Sequence, residues 1–146
     1  MTNIISGKAG IVAMVLAISV FMLPGCTVTT TREKKPEFKV GNDTLQHNLN
    51  TLLTFEHANV NGIEKKTNGK TETNLEIDII NGANIPSDDV QLKALGKTIA
   101  LQLKQELKNP NEYGTYEVFF VIQKTDKSVT NRSYRSIKYT SEEVGN

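Results

Sequence analysis

Residues 57–80 read HANVNGIEKKTNGKTETNLEIDII, and the centre of this stretch is the pair Asn68-Gly69. An Asn-Gly pair favours the positive φ angles of a two-residue hairpin turn. A turn at this point sets Thr67 opposite Lys70 and fixes which residues of the two strands face each other. The stretch therefore predicts a β-hairpin with a defined register.

The register divides the side chains of this hairpin between two faces, because successive side chains of a strand point to opposite sides. It sets Val60 opposite Ile77 and Ala58 opposite Ile79. The apolar face carries Ala58, Val60, Leu75, Ile77 and Ile79. The polar face carries His57, Asn59, Asn61, Glu76 and Asp78, with Ile80 as its one apolar member. We expect the apolar face to lie against the core.

A long helix is predicted between Ser87 and the pair Asn109-Pro110. Ser87 is the expected N-cap, and Asp88 and Asp89 follow where the helix dipole favours negative charge. A residue before proline disfavours helix, which ends the element. The apolar stripe comprises Leu92, Leu95, Gly96, Ile99, Ala100, Leu103 and Leu107. Gly96 lies inside this stripe, and a close approach to the sheet is its expected role.

Two more strands are predicted after the helix. Residues 116–124 are apolar on both faces, which is typical of a central strand that is covered twice, and residues 133–140 form the last strand. A short helix is predicted over residues 43–55, where Thr51 to Phe55 fit the start of a strand equally well. The sequence thus predicts an α+β fold with a four-stranded, mainly antiparallel sheet, in chain order ββαββ, and one long helix packed on it.

Chain length and charge restrict the classes of function. The 146 residues give room for one domain. Lys8 is the only charged residue among residues 1–25, so the rest of the chain carries 16 basic and 16 acidic side chains. A neutral domain in which basic and aromatic residues do not cluster does not favour binding of nucleic acid.

The chemistry-bearing residues predict neither a cofactor nor an enzyme. Cys26 is the single cysteine, and two histidines are too few to complete a tetrahedral zinc site with it. Gly-x-Ser-x-Gly, a glycine-rich phosphate loop and His-Glu-x-x-His are absent from the sequence. We therefore expect no metal, no cofactor and no catalytic activity of these motif-bearing classes.

The N-terminus has the organisation of an export signal. Lys8 precedes 15 uncharged residues, Ala9 to Leu23, which are too few to span a bilayer. The segment ends in Leu23-Pro24-Gly25-Cys26, which resembles the lipobox of bacterial prolipoproteins, with proline where Ala, Ser or Thr is usual. The folded part is similar only to the short, uncharacterised lipoproteins of bacterial envelopes.

The resemblance to prolipoproteins implies a lipid anchor. Residues 1–25 would be a signal peptide that is cleaved after Gly25, and Cys26 would carry acyl chains such as palmitate, which attach the protein stably to a membrane. Residues 26–42 are expected to form a polar tether and residues 43–146 the folded domain. Residue 27 is not Asp, the inner-membrane retention signal of enteric bacteria, which implies the outer membrane in a host that has one.

Two sets of residues are candidates for contact with a membrane or a partner. Lys93, Lys97, Lys104 and Lys108 lie beside the apolar stripe and form a candidate ridge for lipid headgroups or an acidic partner. A solvated helix surface is the simpler interpretation of these lysines. Tyr134 and Tyr139 are candidate interface aromatics, and core packing is the commoner role of such residues.

The polar hairpin face offers a weaker candidate site. His57, Glu76 and Asp78 point the same way, in a pattern that is able to bind a ligand or divide acid and base roles, whereas a flat solvated face needs no function. The leading hypothesis is a membrane-anchored, non-enzymatic lipoprotein that binds another envelope protein or a wall component. The alternative is a small ligand-binding protein or hydrolase that uses these three residues.

Overall fold

The computed structural model describes residues 28–126 and 129–145. Within these residues the chain forms five strands, three α-helices and one 3₁₀ turn. The strands are β1 Thr29–Lys34, β2 His57–Thr67, β3 Lys70–Ile80, β4 Thr115–Asp126 and β5 Val129–Thr140. The helices are α1 Asn42–Asn50, α2 Asp89–Glu106 and α3 Ser141–Val144, and the 3₁₀ turn is Pro110–Glu112.

The strands lie in one sheet in the order β1-β2-β3-β4-β5. The central pair, β3 and β4, is parallel, whereas the other neighbours are antiparallel. Helix α2 explains the parallel pair, because it carries the chain back along the sheet before β4 begins. The predicted α+β class is confirmed, but the four-stranded, ββαββ description was incomplete, since it lacked β1 and the parallel pair.

The β2–β3 hairpin has the predicted register. Thr67 pairs with Lys70, and Val60 pairs with Ile77. Asn68 and Gly69 have φ angles of 50° and 82°, which the two-residue turn requires. The predicted apolar face of the hairpin packs into the core. The register set by the turn therefore decides which side chains of β2 and β3 are buried.

Strand β1 lies within the segment that the sequence predicted to be a tether. Thr29 pairs with Thr67, and Lys34 pairs with Gly62. A Cβ atom at residue 62 would clash with the carbonyl oxygen of Lys34, so glycine lets the two strands approach there. The tether prediction for residues 26–42 was therefore wrong over this strand.

Helix α2 begins at Asp89, and its N-cap differs from the prediction. Asp88 is the cap, since its carboxylate accepts hydrogen bonds from the backbone N–H groups of Val90 at 3.0 Å and Gln91 at 2.9 Å. Ser87 is therefore not the N-cap. Aspartate caps a helix as well as serine does and adds a favourable charge at the positive end of the dipole.

The core lies between the three helices and one face of the sheet, here called the covered face. Leu45 and Leu49 of α1 are buried in it, which confirms the short first helix. The covered face consists of Ala58, Val60, Leu75, Ile77, Ile79, Tyr116, Val118, Phe120, Ile137 and Tyr139. Strand β4 is central, as predicted, but the described helices cover only one of its two apolar faces.

Candidate functional site

The opposite surface of the sheet, here called the open face, gathers polar and aromatic side chains over which none of the described helices packs. It consists of Asn59, Asn61, Asn74, Glu76, Asp78, Ile80, Glu117, Phe119, Val121, Arg132, Tyr134, Ser136 and Lys138. Alternation along each strand places these side chains together. The surface divides into a charged half and an aromatic half.

The charged half is a groove of about 550 Å³. Glu76 lies across from Glu117 on the parallel strand, and Lys138 lies across from Glu117 on β5. The amide of Asn74 donates to Glu76 Oε1 at 2.9 Å. Partial burial raises the pKa of Glu76 above 4.5, and the negative charge of Glu117 acts in the same direction, while the Asn74 hydrogen bond opposes them.

His57 does not lie beside Glu76, one of the two carboxylates that the sequence grouped with it. It pairs with Ile80, whereas Glu76 pairs with Asn61, four residues further along β2. Four residues of a strand span about 13 Å. The imidazole Nδ1 of His57 instead lies 4.0 Å from Glu56 Oε1 at the exposed end of the hairpin. The grouping of His57 with Glu76 that an acid–base pair needs is therefore not formed.

The aromatic half lies at the other end of the open face, around the rings of Phe119 and Tyr134. Their centroids are 5.6 Å apart in an edge-to-face arrangement, and Tyr134 is 66% exposed. A shallow groove of about 370 Å³ runs beside them. Arg132 Nη2 lies 3.4 Å from Asp78 Oδ2 along this groove. Two-residue alternation back from Tyr134 is the sequence signal that places Arg132 here.

Ile80, the apolar residue on the predicted polar face, belongs to this aromatic half. Its side chain is buried, and so is that of its parallel neighbour Val121. Tyr134 of β5 is the cross-strand partner of Val121. Ile80 and Val121 therefore add apolar surface next to the exposed ring of Tyr134. The apolar residues of both central strands thus form a second, smaller cluster on the open face.

A further groove of about 340 Å³ lies on the covered-face side of the same end of β5, beyond the start of α2. Its lining includes Ile85, Pro86, Phe120, Ile122 and Ser133. Arg135 borders it and donates to Pro86 O at 2.9 Å and to Asp89 Oδ1 at 2.6 Å. The two grooves therefore flank one segment of β5, one on each side of the sheet.

The four lysines do not form one exposed ridge, and Lys108 lies beyond α2, which ends at Glu106 rather than at the predicted Asn109-Pro110. Lys104 is only 9% exposed, and its ammonium group donates to the carbonyl oxygens of Ser141 at 2.9 Å and Gly145 at 2.7 Å. Lys108 forms an ion pair of 3.5 Å with Glu37. Lys93 and Lys97 are exposed. Lys104 thus ties α2 to the C-terminal helix, and three of the four lysines remain at the surface.

Tyr139 is buried and serves in the core. Its hydroxyl donates to the backbone carbonyl of Lys93 at 2.6 Å. A Cβ atom at Gly96 would lie 2.6 Å from that hydroxyl oxygen, which confirms the predicted close approach of this glycine to the sheet. Of the two candidate interface tyrosines, Tyr134 is the one at the surface.

Cys26 and the predicted cleavage point after Gly25 lie outside the described residues. In the part of the chain that is described, histidine and acidic side chains do not assemble into a metal site, and every helix is too short or too polar to cross a bilayer. No protein-family model, curated protein or solved structure matches the chain significantly. The function must therefore be inferred from the chemistry of these surfaces.

Proposed function

We propose that the protein is a bacterial envelope lipoprotein, held on a membrane by acyl chains on Cys26, whose domain binds another envelope protein without catalysing a reaction. The lipobox-like Leu23-Pro24-Gly25-Cys26 supports the anchor. The observation that supports binding is the exposed ring of Tyr134 beside Phe119 on a sheet face that the described helices leave uncovered.

Tyr134 has the properties of a binding anchor. An aromatic ring contributes a large contact area at low entropic cost, and tyrosine is enriched at the energetic centres of protein interfaces. The edge contact with Phe119 limits the orientations of the ring. Arg132 and Asp78 supply charged groups beside it, which suits the polar rim that surrounds such anchors.

The alternative of a small hydrolase receives no support from the geometry. Its candidate carboxylates already have partners, since Asn74 donates to Glu76 and Arg132 contacts Asp78. The candidate base His57 lies four residues along the hairpin from Glu76, or about 13 Å. General acid–base catalysis requires two groups within hydrogen-bond reach of one reacting atom, whereas His57 and Glu76 contact different neighbours, Glu56 and Asn74.

Labelling with an alkyne analogue of palmitate tests the anchor. The wild-type protein should be labelled, and its mass should match a mature form whose first residue is Cys26. The Cys26→Ser variant should be unlabelled. Labelling of Cys26→Ser, or a mature protein that retains residues 1–25, would contradict the lipoprotein proposal.

Photo-crosslinking in intact cells tests binding. A benzophenone amino acid at Tyr134 should give a discrete, protease-sensitive adduct, whereas the same group at the exposed helix residue Lys93 should not. Identical adducts at both positions, or none at Tyr134, would refute a partner site on the open face. An adduct that survives protease and is released by a wall-degrading enzyme would identify the partner as a wall component instead of a protein.

A further inference from the structure

Strand β5 forms one edge of the sheet, and no strand among residues 28–126 and 129–145 pairs with its outer side. It is 12 residues long. Most of its side chains are exposed, Ile137 and Tyr139 excepted. A free edge presents a row of unpaired N–H and C=O groups, and natural proteins shorten, bend, cover or charge such edges to prevent unwanted pairing. β5 is neither short nor covered by another described strand, and its cations would exclude basic segments while still admitting an acidic one. A long free edge is therefore suited to accept another strand.

The charge of β5 is of one sign. Val129–Thr140 contains Arg132, Arg135 and Lys138 and no acidic residue. Within the described residues no carboxylate lies within 4.0 Å of the Lys138 ammonium, and the Arg132–Asp78 contact of 3.4 Å uses one of five guanidinium donors. Arg135 is paired with Asp89 at 2.6 Å, and Lys138 lies across from Glu117 on its inner side, so Arg132 and Lys138 are the cations that an added strand meets. Such a strand would lie about 5 Å from the β5 backbone on the outer side, whereas Asp78 belongs to β3, about 10 Å inside. The edge therefore favours an acidic partner.

A second copy of the chain does not fit this edge well. Antiparallel pairing of β5 with itself centred on Arg135 would set Arg135 against Arg135 of the copy and Arg132 against Lys138. Like charges directly opposite each other destabilise a strand pair. The same charges that attract an acidic segment thus oppose self-association in this register.

The two grooves near residues 132–135 give the edge a place for side chains on both sides of the sheet. One groove lies on the open face, where Arg132 and Tyr134 of β5 line it at the sheet edge and Glu76 and Asp78 of β3 line it further inside. The other lies beside Ser133 on the side of α2. Successive side chains of an added strand alternate between the two sides. The open-face side chains meet Arg132 and Lys138, whereas those on the other side meet the apolar lining formed by Ile85 and Ile122.

We propose that β5 accepts, as a sixth strand, an extended segment of a partner protein in which carboxylates alternate with apolar side chains. Backbone pairing supplies affinity, and the two grooves and the cations supply specificity. This assignment rests on the proposed binding function and names the class of partner for it. The carboxylates face Arg132 and Lys138 on the open face, while the apolar side chains enter the groove beside Ile122.

A designed probe tests the assignment on the full chain in mild detergent. The probe is a ten-residue fluorescent peptide that alternates valine with glutamate, and its comparison peptide alternates valine with lysine. The wild-type protein should bind the glutamate peptide at least about tenfold more tightly, as one favourable charge contact implies. Hydrogen exchange of the bound protein should slow in residues 129–138 and stay unchanged in β1, the other edge.

Charge reversal supplies the decisive variant. Arg132→Glu combined with Lys138→Glu should exchange the preference, so that the lysine peptide binds more tightly than the glutamate peptide. Lys93→Glu combined with Lys97→Glu makes the same change in net charge on α2 and should leave the wild-type preference intact. If the reversed variant folds poorly, Arg132→Gln combined with Lys138→Gln removes the same two cations without introducing new repulsion. This variant should reduce the preference for the glutamate peptide.

Several outcomes would overturn the assignment. These are no binding of either peptide, an unchanged preference after charge reversal, protection at β1 instead of β5, and a dimer that the peptide disperses. If these occur while the Tyr134 adduct persists, the strand-addition assignment fails and the proposed binding function stands. If the Tyr134 adduct is absent as well, both fail.

Discussion

The covered and open faces are built from the same strands, yet they have different roles. On β4 the neighbouring residues Phe119 and Phe120 point to opposite sides. Phe120 is buried against the helices, whereas Phe119 is half-buried under the exposed ring of Tyr134. The covered face meets the requirement for a core, and this leaves the open face free to carry charge and an exposed aromatic ring. Substitutions on the two faces should show how completely the two roles are separated.

The largest expected difference is between the two phenylalanines. Phe120→Ala should lower the free energy of unfolding by about 3–5 kcal/mol, because it removes a ring from the packed core. Phe119→Ala should cost less than about 2 kcal/mol, since its ring has solvent on one side. Urea denaturation of both variants measures the difference. Equal losses would show that the open face is a second core rather than a surface.

Gly96 and Tyr139 test the contact between α2 and the covered face. Gly96→Ala should cost about 1–3 kcal/mol, because its Cβ would lie 2.6 Å from the tyrosine hydroxyl. Tyr139→Phe removes that oxygen and leaves the next ring atoms at 3.5 Å. The double variant should therefore be more stable than the sum of the single effects by at least about 1 kcal/mol. Additive losses would contradict the close approach.

Lys104 and Lys97 compare a buried with an exposed lysine of the same helix. Lys104→Met should lower the free energy of unfolding by about 1–2 kcal/mol, because the carbonyl oxygens of Ser141 and Gly145 lose a charged donor. Lys97→Met, at the surface, should change it by less than about 0.5 kcal/mol. Thermal unfolding and hydrogen exchange in α3 measure both. A larger loss at Lys97 would contradict this structural role of Lys104.

The smallest expected effect concerns Glu76 on the open face. Its pKa is raised from 4.5, so ionising the carboxyl is harder in the folded than in the unfolded protein. Wild-type stability should therefore fall relative to Glu76→Gln as the pH rises through the raised pKa. The melting-temperature difference should be near zero at pH 3.5 and reach at most about 2 °C at pH 7. A difference that does not change with pH would show that burial does not perturb this group.

The sequence predicts those parts of the fold that have a local signal. Asn68-Gly69 predicts the hairpin register, and alternation then predicts which side of β2 and β3 is buried. The position of Gly96 in the apolar stripe predicts a close approach, although it does not identify Tyr139 as the neighbour. In each case the deciding chemistry lies within a few residues along the chain.

The features that the sequence did not predict depend on distant partners. Strand β1 is polar and exposed, so alternation along it gives no signal of burial. The glycine at residue 62, where β2 approaches the backbone of β1 closely, is the one local indication that a strand pairs there. Helix periodicity places Lys104 beside the other lysines, but only the position of the C-terminal carbonyls shows that it is buried. Similarly, the contact between Arg132 and Asp78 joins residues of β5 and β3, which are separated by 54 positions.

The pairing of β1 limits how far the folded domain would lie from acyl chains on Cys26 in the proposed lipoprotein. Thr29 lies three residues after Cys26, so acyl chains on that cysteine would leave at most about 11 Å of chain before the sheet begins. Val28 O accepts the Asn68 N–H at 3.2 Å, which places the hairpin turn at the anchored end. Ile80 is level with Tyr134 across the sheet and lies ten residues along β3 from Lys70, next to the turn, or about 33 Å from it. The lipid would thus keep the turn end of the sheet close to the bilayer, and Arg132 and Tyr134 of β5 would lie at the end of the sheet away from it.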